Sequence, residues 1–392
     1  MNLFSEEMLS AFEASVLPTN EACLLPREVY TSEEFFRFEK EAIFHREWLC
    51  AGRVDQVPNT GDYLVVTILD EPLIVARTEE GIRVISAVCR HRGMVLAEKG
   101  GNCSRFICPY HHWTYALDGR LIGAPEMDRA IGFNKAEYNL PSLPVEIWQG
   151  FIFTSFNEQA APLAPALAEL DPLLDHFELP QTTTRTGTKI PDLPWNWKVM
   201  MENFNDPYHA SRLHGPLQTF APSGMSDFFD WRDDMNHISR IQHFTEIDGS
   251  FNPTKKCLMP VFPKLTLEER KRGMFILVPP TLALAVVPDE IAYFIIDAQA
   301  AGQISIDINY CFNPEALKDP MFEYLFEQAE AGVNNFNVQD VYADTMVQKG
   351  LNSRFGPRGR YSWQEGTLPQ FNRWLVQRYR RHWPSSGRPA DG

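Results

Sequence analysis

Two short segments, Cys89-Arg90-His91 and Cys108-Pro109-Tyr110-His111, form a CxHx16CxxH pattern. The chain must fold so that both loops lie side by side and aim four ligands at one place. A structural zinc site is one way to use two Cys and two His, but zinc sites usually space Cys with Cys and His with His. Here each half carries one of each. That arrangement suits a [2Fe–2S] cluster in which two thiolates hold one iron and two imidazoles hold the other, which raises the reduction potential above that of an all-cysteine cluster. The chemistry expected of this region is electron transfer. Pro109 and the glycines Gly93, Gly100 and Gly101 suit tight loops that turn backbone N–H groups toward cluster sulfurs, while Tyr110 and Trp113 offer apolar cover.

The sequence has 392 residues, enough for two domains, because single cores stop growing near about 250 to 300 residues. Its 36 basic and 51 acidic residues leave a net charge of −15, which disfavours nucleic acid and anionic membranes as general partners. The start, MNLFSEEMLSAFEASVL, has acids where a signal peptide needs a basic segment, and the apolar run from Met274 to Pro288 is interrupted by Pro279 and Pro280 and too short to span a bilayer. A cytoplasmic protein without a membrane span is expected. Outside the ligand pairs, Cys23, Cys50, Cys103, Cys257 and Cys311 are scattered and odd in number, so no disulfide framework is expected, and Cys103 reads as a buried thiol.

Thr31 with Glu34 forms a capping-box pattern ahead of Phe36, Ile43, Phe44 and Trp48, predicting a helix from about residue 32 to 48. From Tyr63 the pattern turns to strands: YLVVTIL, EPLIVAR, a turn at Glu80-Gly81, and IRVISAVC entering the first ligand pair. RFICPYHHWTYALDGRLIG reads as strand, ligand loop and a hairpin turning at Asp118-Gly119; VEIWQGFIFTSF closes the region. An Ala/Pro-rich linker and short amphipathic helix follow from about 158. Later elements are a helix around 195–214, strands around 236–247, 274–287, 291–298 and 303–312, and helices around 320–350 and 368–383. Strands bounded by helices without βαβ alternation argue an α+β fold. The expected division is an N-terminal helical segment (1–44) packing on the catalytic domain, a β-rich cluster domain (45–157), a catalytic domain (158–383) and a disordered tail (384–392).

The segment from Trp197 to His214, WKVMMENFNDPYHASRLH, carries the second constellation. Trp197, Met201, Phe204 and Tyr208 recur at helical spacing as an apolar stripe, leaving Asn203, Asp206 and His209 to project elsewhere. Two His and one carboxylate on one face of Fe(II) leave positions open for O2 and substrate. His209 and His214 lie about 140° apart on an ideal helix, so a straight helix cannot aim both at one metal. Pro207 removes an N–H and kinks the turn, and Gly215-Pro216 is expected to end the helix. For the carboxylate, VNNFNVQDVYADTMVQKGL offers Asp340 and Asp344. Asp340 shares a helical stripe with Val333, Phe336, Ala343 and Val347, where an unpaired carboxylate is costly, whereas Asp344 on the shoulder reaches water more easily. Asp340 is favoured.

These motifs resemble those of the Rieske non-heme iron oxygenases, the aromatic ring-hydroxylating dioxygenase family, along nearly the whole chain. In that family CPYH is usually followed by a small residue and Trp; here His112 stands in that place and is read as a surface imidazole. NxxDxYHxxxxH, present as Asn203, Asp206, Tyr208, His209 and His214, is similar to the family's mononuclear iron motif, and the QD-containing helix again favours Asp340. The resemblance implies a catalytic α subunit with a Rieske [2Fe–2S] domain on Cys89, His91, Cys108 and His111. It also implies a helix-grip catalytic domain with an antiparallel sheet, holding Fe(II) on His209, His214 and Asp340. It implies head-to-tail homotrimers, with or without a beta subunit, in which the cluster of one subunit serves the iron of the next. Asp206 would then bridge the neighbour's His111 and this chain's His209, with Asn203 near the iron as a non-ligand and Tyr208 as support. Electrons would come from NAD(P)H by a separate reductase, directly or through a ferredoxin, because no nucleotide fingerprint is evident. The implied activity is O2-dependent hydroxylation of a small substrate. DPYHAS and the flanking apolar residues Phe204, Leu217, Phe220, Val333 and Phe336 favour an aromatic one. QDVYADTMVQKGLNSRF resembles oxygenases of quaternary amines, which keeps oxidative N- or O-demethylation as the alternative. Arg212, between the two histidines, is read as a solvated or salt-bridged side chain more readily than as a partner for a substrate carboxylate. A Rieske electron carrier without oxygenase activity is disfavoured by the second site.

Overall fold

The computed structural model describes residues 3–384 and divides into two compact units, His45–Leu163 and a second made of the residues up to Phe44 together with those from Ala164 onward. The second boundary falls a few residues later than the Ala/Pro composition change suggests. Most of the tail expected at 384–392 lies outside the described residues. Among the described residues no helix is long and apolar enough to cross a membrane.

The His45–Leu163 unit is built from short antiparallel sheets. Asp62–Ile68 pairs with Glu71–Thr78, which pairs with Gly81–Ser86, following the alternating apolar pattern. The first hairpin turns on Leu69 and Asp70, both at positive φ (54° and 70°), the twist that a two-residue hairpin loop requires even without glycine. A small sheet of Phe106–Ile107, Thr114–Tyr115 and Leu121–Gly123 carries the second ligand pair between its first two strands. Ile74, Ile85, Phe106, Trp113, Tyr115 and Leu121 form a common core beneath both ligand loops.

The other unit centres on a seven-stranded antiparallel sheet of β1 (Thr183–Leu193), β2 (Ser226–Phe228), β3 (Ile238–His243), β4 (Arg272–Val278), β5 (Leu282–Val286), β6 (Ile291–Ala300) and β7 (Gln303–Phe312), in spatial order β1-β7-β6-β5-β4-β3-β2. The apolar run read as one strand over 274–287 is in fact a hairpin, β4 and β5, turning at Pro279-Pro280-Thr281, where proline cannot donate to a ladder. The helices that position the site are α1 (Glu33–Glu39), α2 (Trp197–Asn205), α3 (Phe322–Asn352) and α4 (Thr367–His382). α1 is shorter than expected and continues as one wide turn, Lys40–Phe44. Its cap is Ser32, whose hydroxyl accepts the Phe35 N–H at 3.2 Å, while the Thr31 hydroxyl instead bonds back to the Arg27 carbonyl. α1 is fastened to α2 by a fully buried ion pair in which the Lys198 ammonium lies 2.7 Å from both Glu39 oxygens; Trp197 Nε1 and the Tyr379 hydroxyl also donate to Glu39.

Candidate active site

The two cluster loops are closed by the same backbone device. The Cys89 N–H bonds the Met94 carbonyl and the Gly93 N–H returns to the Cys89 carbonyl; in the second loop Cys108 pairs with Trp113 and the His112 N–H with the Cys108 carbonyl. Gly93 and His112 take positive φ of 77° and 58°, so an exposed His112 occupies a turn position that glycine and other permissive residues favour. The loops bring the Nδ1 atoms of His91 and His111 to 3.1 Å from one another. Two nitrogens bound at ~2.1 Å to one tetrahedral metal would lie about 3.4 Å apart, so the pair fits the imidazole side of the cluster. Both cysteines are buried and unpaired as disulfides. Trp113 stacks on His91 at 4.8 Å, but Tyr110 is half exposed and leans on His111 at 3.8 Å, giving less cover than expected. Tyr115, which the motif does not mark, puts its hydroxyl 3.3 Å from Cys89 Sγ while accepting the Arg90 N–H. Cys103 is half-buried, and burial raises its thiol.

α2 stops at Asp206, whose extended backbone (φ −91°, ψ 108°) is what a residue before proline prefers. The Asp206 carboxylate then caps the next turn, Pro207–Ala210, accepting the N–H groups of Tyr208 and His209. This break solves the aiming problem: a free turn from Ser211 to Leu213 carries His214 round, and Gly215-Pro216 opens a short 3-10 turn instead of ending a continuous helix. His209, His214 and Asp340 offer ligand atoms that all lie within 4.8 Å of one another. His214 Nε2 is 3.0 Å and His209 Nε2 3.7 Å from Asp340 Oδ1. Cis ligands at ~2.1 Å on an octahedral ion stand about 3.0 Å apart, and two His with one carboxylate are a donor set for Fe(II) with open positions. Each imidazole is held through its other nitrogen, His209 Nδ1 by Asp206 at 3.2 Å and His214 Nδ1 by Gln339 at 3.0 Å.

Asn203 places its amide 3.4 Å from Asp340. Asp344 is the more deeply buried of the two acids, 3% exposed, and burial, then the Asp340 and Glu202 carboxylates, push it up to about 9. The burial argument that separated Asp340 from Asp344 is therefore reversed, and it is direction along α3, not depth, that joins Asp340 to the histidines. Tyr208 lies beyond the helix break with its side chain half exposed, so it is not part of the α2 stripe; among the described contacts it joins the site through its backbone N–H.

Beside this triad lies a pocket between α2, α3 and the sheet, walled by Phe204, Phe251, Phe275, Phe294, Phe336 and Trp195. Phe204 packs edge-on to Phe275 and Phe294, and Phe336 to His214. Leu217 and Val333 line it as expected; Phe220 instead packs behind with Phe244, and Arg212 is exposed and outside the lining. Two charged residues that sequence patterns did not reveal do line it: Arg240 on β3 and Glu290 just before β6.

A family model described as "Ring hydroxylating alpha subunit (catalytic domain)" matches residues 180–381, and one described as "Rieske [2Fe-2S] domain" matches residues 47–144. The glycine betaine monooxygenase oxygenase subunit of Pseudomonas aeruginosa is 34% identical over 196 residues, covering 49% of this chain and 45% of the relative, so the match spans about half the length of that protein. The carnitine monooxygenase oxygenase subunit of Acinetobacter pittii is 28% identical over 342 residues, 86% of this chain and 88% of the relative. In fold, naphthalene 1,2-dioxygenase from Rhodococcus sp. superposes with a TM-score of 0.80 at 20% identity, covering 97% of this chain and all of that one. With its Rieske domain and a catalytic-domain match over more than half its length, the chain belongs to the ring-hydroxylating alpha subunits of the Rieske non-heme iron oxygenases.

Proposed function

We propose that the chain is a terminal oxygenase component that oxidises a C–H bond next to the nitrogen of an N-methylated or quaternary amine. The observation that carries this reading is the buried Glu290 carboxyl in a pocket walled by five Phe rings and Trp195 that also holds the His209, His214 and Asp340 triad. Aromatic faces attract a cation and a carboxyl can neutralise it. The similarity to glycine betaine and carnitine monooxygenase subunits supports the same substrate class.

Cys89, Cys108, His91 and His111 would hold the cluster, and His209, His214 and Asp340 the iron; together these groups supply electrons and O2 activation when bound. The electrons come from NAD(P)H through a separate reductase, directly or by way of a ferredoxin. Asp206 fixes the tautomer and orientation of His209, and Gln339 those of His214. The apolar rings exclude water from the substrate. Per turnover, one O2, one NAD(P)H and one proton convert the C–H to C–OH and release water; the resulting carbinolamine parts into an aldehyde and the smaller amine.

A head-to-tail homotrimer belongs to this reading, with Asp206 bridging to His111 of the next subunit. Exposed apolar side chains near both ends support such a contact: Tyr110 at 52% and Ile107 at 49% beside the cluster loops, and Tyr208, Val338 and Tyr342 at 50–70% beside the triad. Hydroxylation of a small aromatic compound is the second reading, favoured by the five Phe rings of the pocket. The test is product analysis with a surrogate reductase and labelled O2 across methylammonium and aromatic panels. Aldehyde release matching NADH consumption supports the amine reading; labelled phenol or diol with the amines inert replaces it with the second.

A further inference from the structure

Arg240 and Glu290 are 4% and 3% exposed, and each has a polar atom with no hydrogen-bond partner, the guanidinium Nε and the carboxyl Oε2. Such groups are costly to bury unless something pairs with them. They do not pair with each other. The sheet register explains why: Arg240 sits opposite Phe275, Phe275 opposite Ala285, and Ala285 opposite Ala292, two residues past Glu290 on the same face. β3 and β6 are three strand spacings apart, about 14 Å. Between them the two small alanines leave a floor above which a ligand can lie.

The environments of the two charges differ in kind. The guanidinium lies 3.9 Å over the Phe275 ring, with one terminal nitrogen bonded to Gln242 at 3.0 Å, so the ring fixes its plane and its Nε edge is left for a planar anion. Glu290 stands alone beside Asp289, whose own carboxylate is already bonded to the N–H groups of Leu258 and Met259. Burial, then the Asp289 charge, raise the Glu290 carboxyl well above its ordinary range, so an arriving cation would be needed to keep it ionised.

We propose that the substrate is a zwitterion that spans this floor, its carboxylate anchored by Arg240 and its ammonium facing Glu290, so that the two residues select both charge and chain length. This rests on the amine reading above and adds to it the anionic group, its anchor and the length rule.

The experiment measures binding calorimetrically and aldehyde release enzymatically, using holoenzyme and three probe sets: ω-trimethylammonio alkanoates of increasing chain length, trimethylammonio alcohols of matched length, and carbon isosteres with a tert-butyl group in place of trimethylammonium. Wild-type enzyme should prefer the alkanoates over the alcohols, with an optimum at one chain length. Arg240→Gln should weaken alkanoate binding by about tenfold or more and leave the alcohols within about twofold. Arg240→Lys should restore part of the loss. Glu290→Gln should erase the preference for ammonium over tert-butyl. An unchanged visible cluster spectrum and iron content certify that the variants fold. Equal loss on alkanoates and alcohols in Arg240→Gln, or no alkanoate preference in wild type, overturns the proposal while amine turnover leaves the underlying reading in place. Wild-type enzyme that binds no amine but does bind aromatic hydrocarbons overturns both.

Discussion

Replacing Lys198 by Met should convert a stable buried pair into a pH-dependent defect. Both side chains are wholly buried, and Lys198 Nζ meets the two Glu39 oxygens at 2.7 Å. Removing one member of such a pair costs about 3–5 kcal/mol, here toward the lower end because the remaining carboxylate keeps the Trp197 and Tyr379 donors. The carboxyl has a second option, to take up a proton, which at pH 7 costs about 3.7 kcal/mol against a reference glutamate value of ~4.3 and at pH 5 only about 1 kcal/mol. Folded Lys198→Met then binds one proton more than its unfolded chain above that value, so its stability falls as pH rises, by about 1.4 kcal/mol per pH unit until the uncompensated-charge limit is reached. The slope should appear in the difference between the variant and wild type, since other buried carboxyls such as Glu202 and Asp344 titrate in both, and Lys198→Met with Glu39→Gln should lose it again. Urea unfolding between pH 5 and 8 reads the effect, with hydrogen exchange at residues 195–210 confirming that this unit is the one affected. A pH-independent loss under about 1 kcal/mol would show that the Lys198–Glu39 pair is not what neutralises the buried carboxylate.

Asp206→Ala should keep both metal sites loaded yet slow cluster-to-iron electron transfer by orders of magnitude in single-turnover assays; a normal rate disposes of the bridge. His237 is buried, its Nδ1 bonded to Ser239, and burial, then the Arg232 charge, bring it down to about 4. Glu169 lies 3.6 Å from its Nε2 but is already paired with Arg232 at 2.8 Å, so burial prevails over that carboxylate. The unfolded chain then binds the extra proton between pH ~6.5 and ~4, so up to about 3 kcal/mol of stability should be lost as pH falls through that window, and His237→Gln should flatten the acid side of the profile. Gly332→Ala would place its Cβ 2.6 Å from Asn252 Cα and 3.0 Å from the Phe251 carbonyl, so overpacking of about 1–3 kcal/mol outweighs the ~1 kcal/mol gain in helix propensity. Because Phe251 lines the pocket, KM should rise with little change in iron content.

The convergence of the candidate ligands was readable because both motifs are local: CxH and CxxH each fit one loop, and Pro207 announces the break that lets His209 and His214 converge. The reasoning from depth that favoured Asp340 failed, since α3 leaves Val347 exposed and sinks Asp344; the proposal of Asp340 as third ligand rests instead on its place beside His209 and His214. β1 escaped notice because TTRTGTKIPDL is a largely polar edge strand with two register shifts, lacking the apolar alternation that marks strands. Arg240 and Glu290 were invisible for a different reason. Fifty residues apart in sequence, they share a pocket only through the β3-β4-β5-β6 register, and nothing local distinguishes them from ordinary surface charges.

Iron and acid-labile sulfide, measured in wild type and in Asp340→Ala, distinguish two separate metal sites on one chain from a single site. The two-site assignment requires about three irons and two sulfides per wild-type chain, falling to about two irons with both sulfides and the reduced-state Rieske EPR signal intact in Asp340→Ala. Zinc without sulfide in wild type, or Asp340→Ala that keeps its third iron while Asp344→Ala loses it, would contradict it.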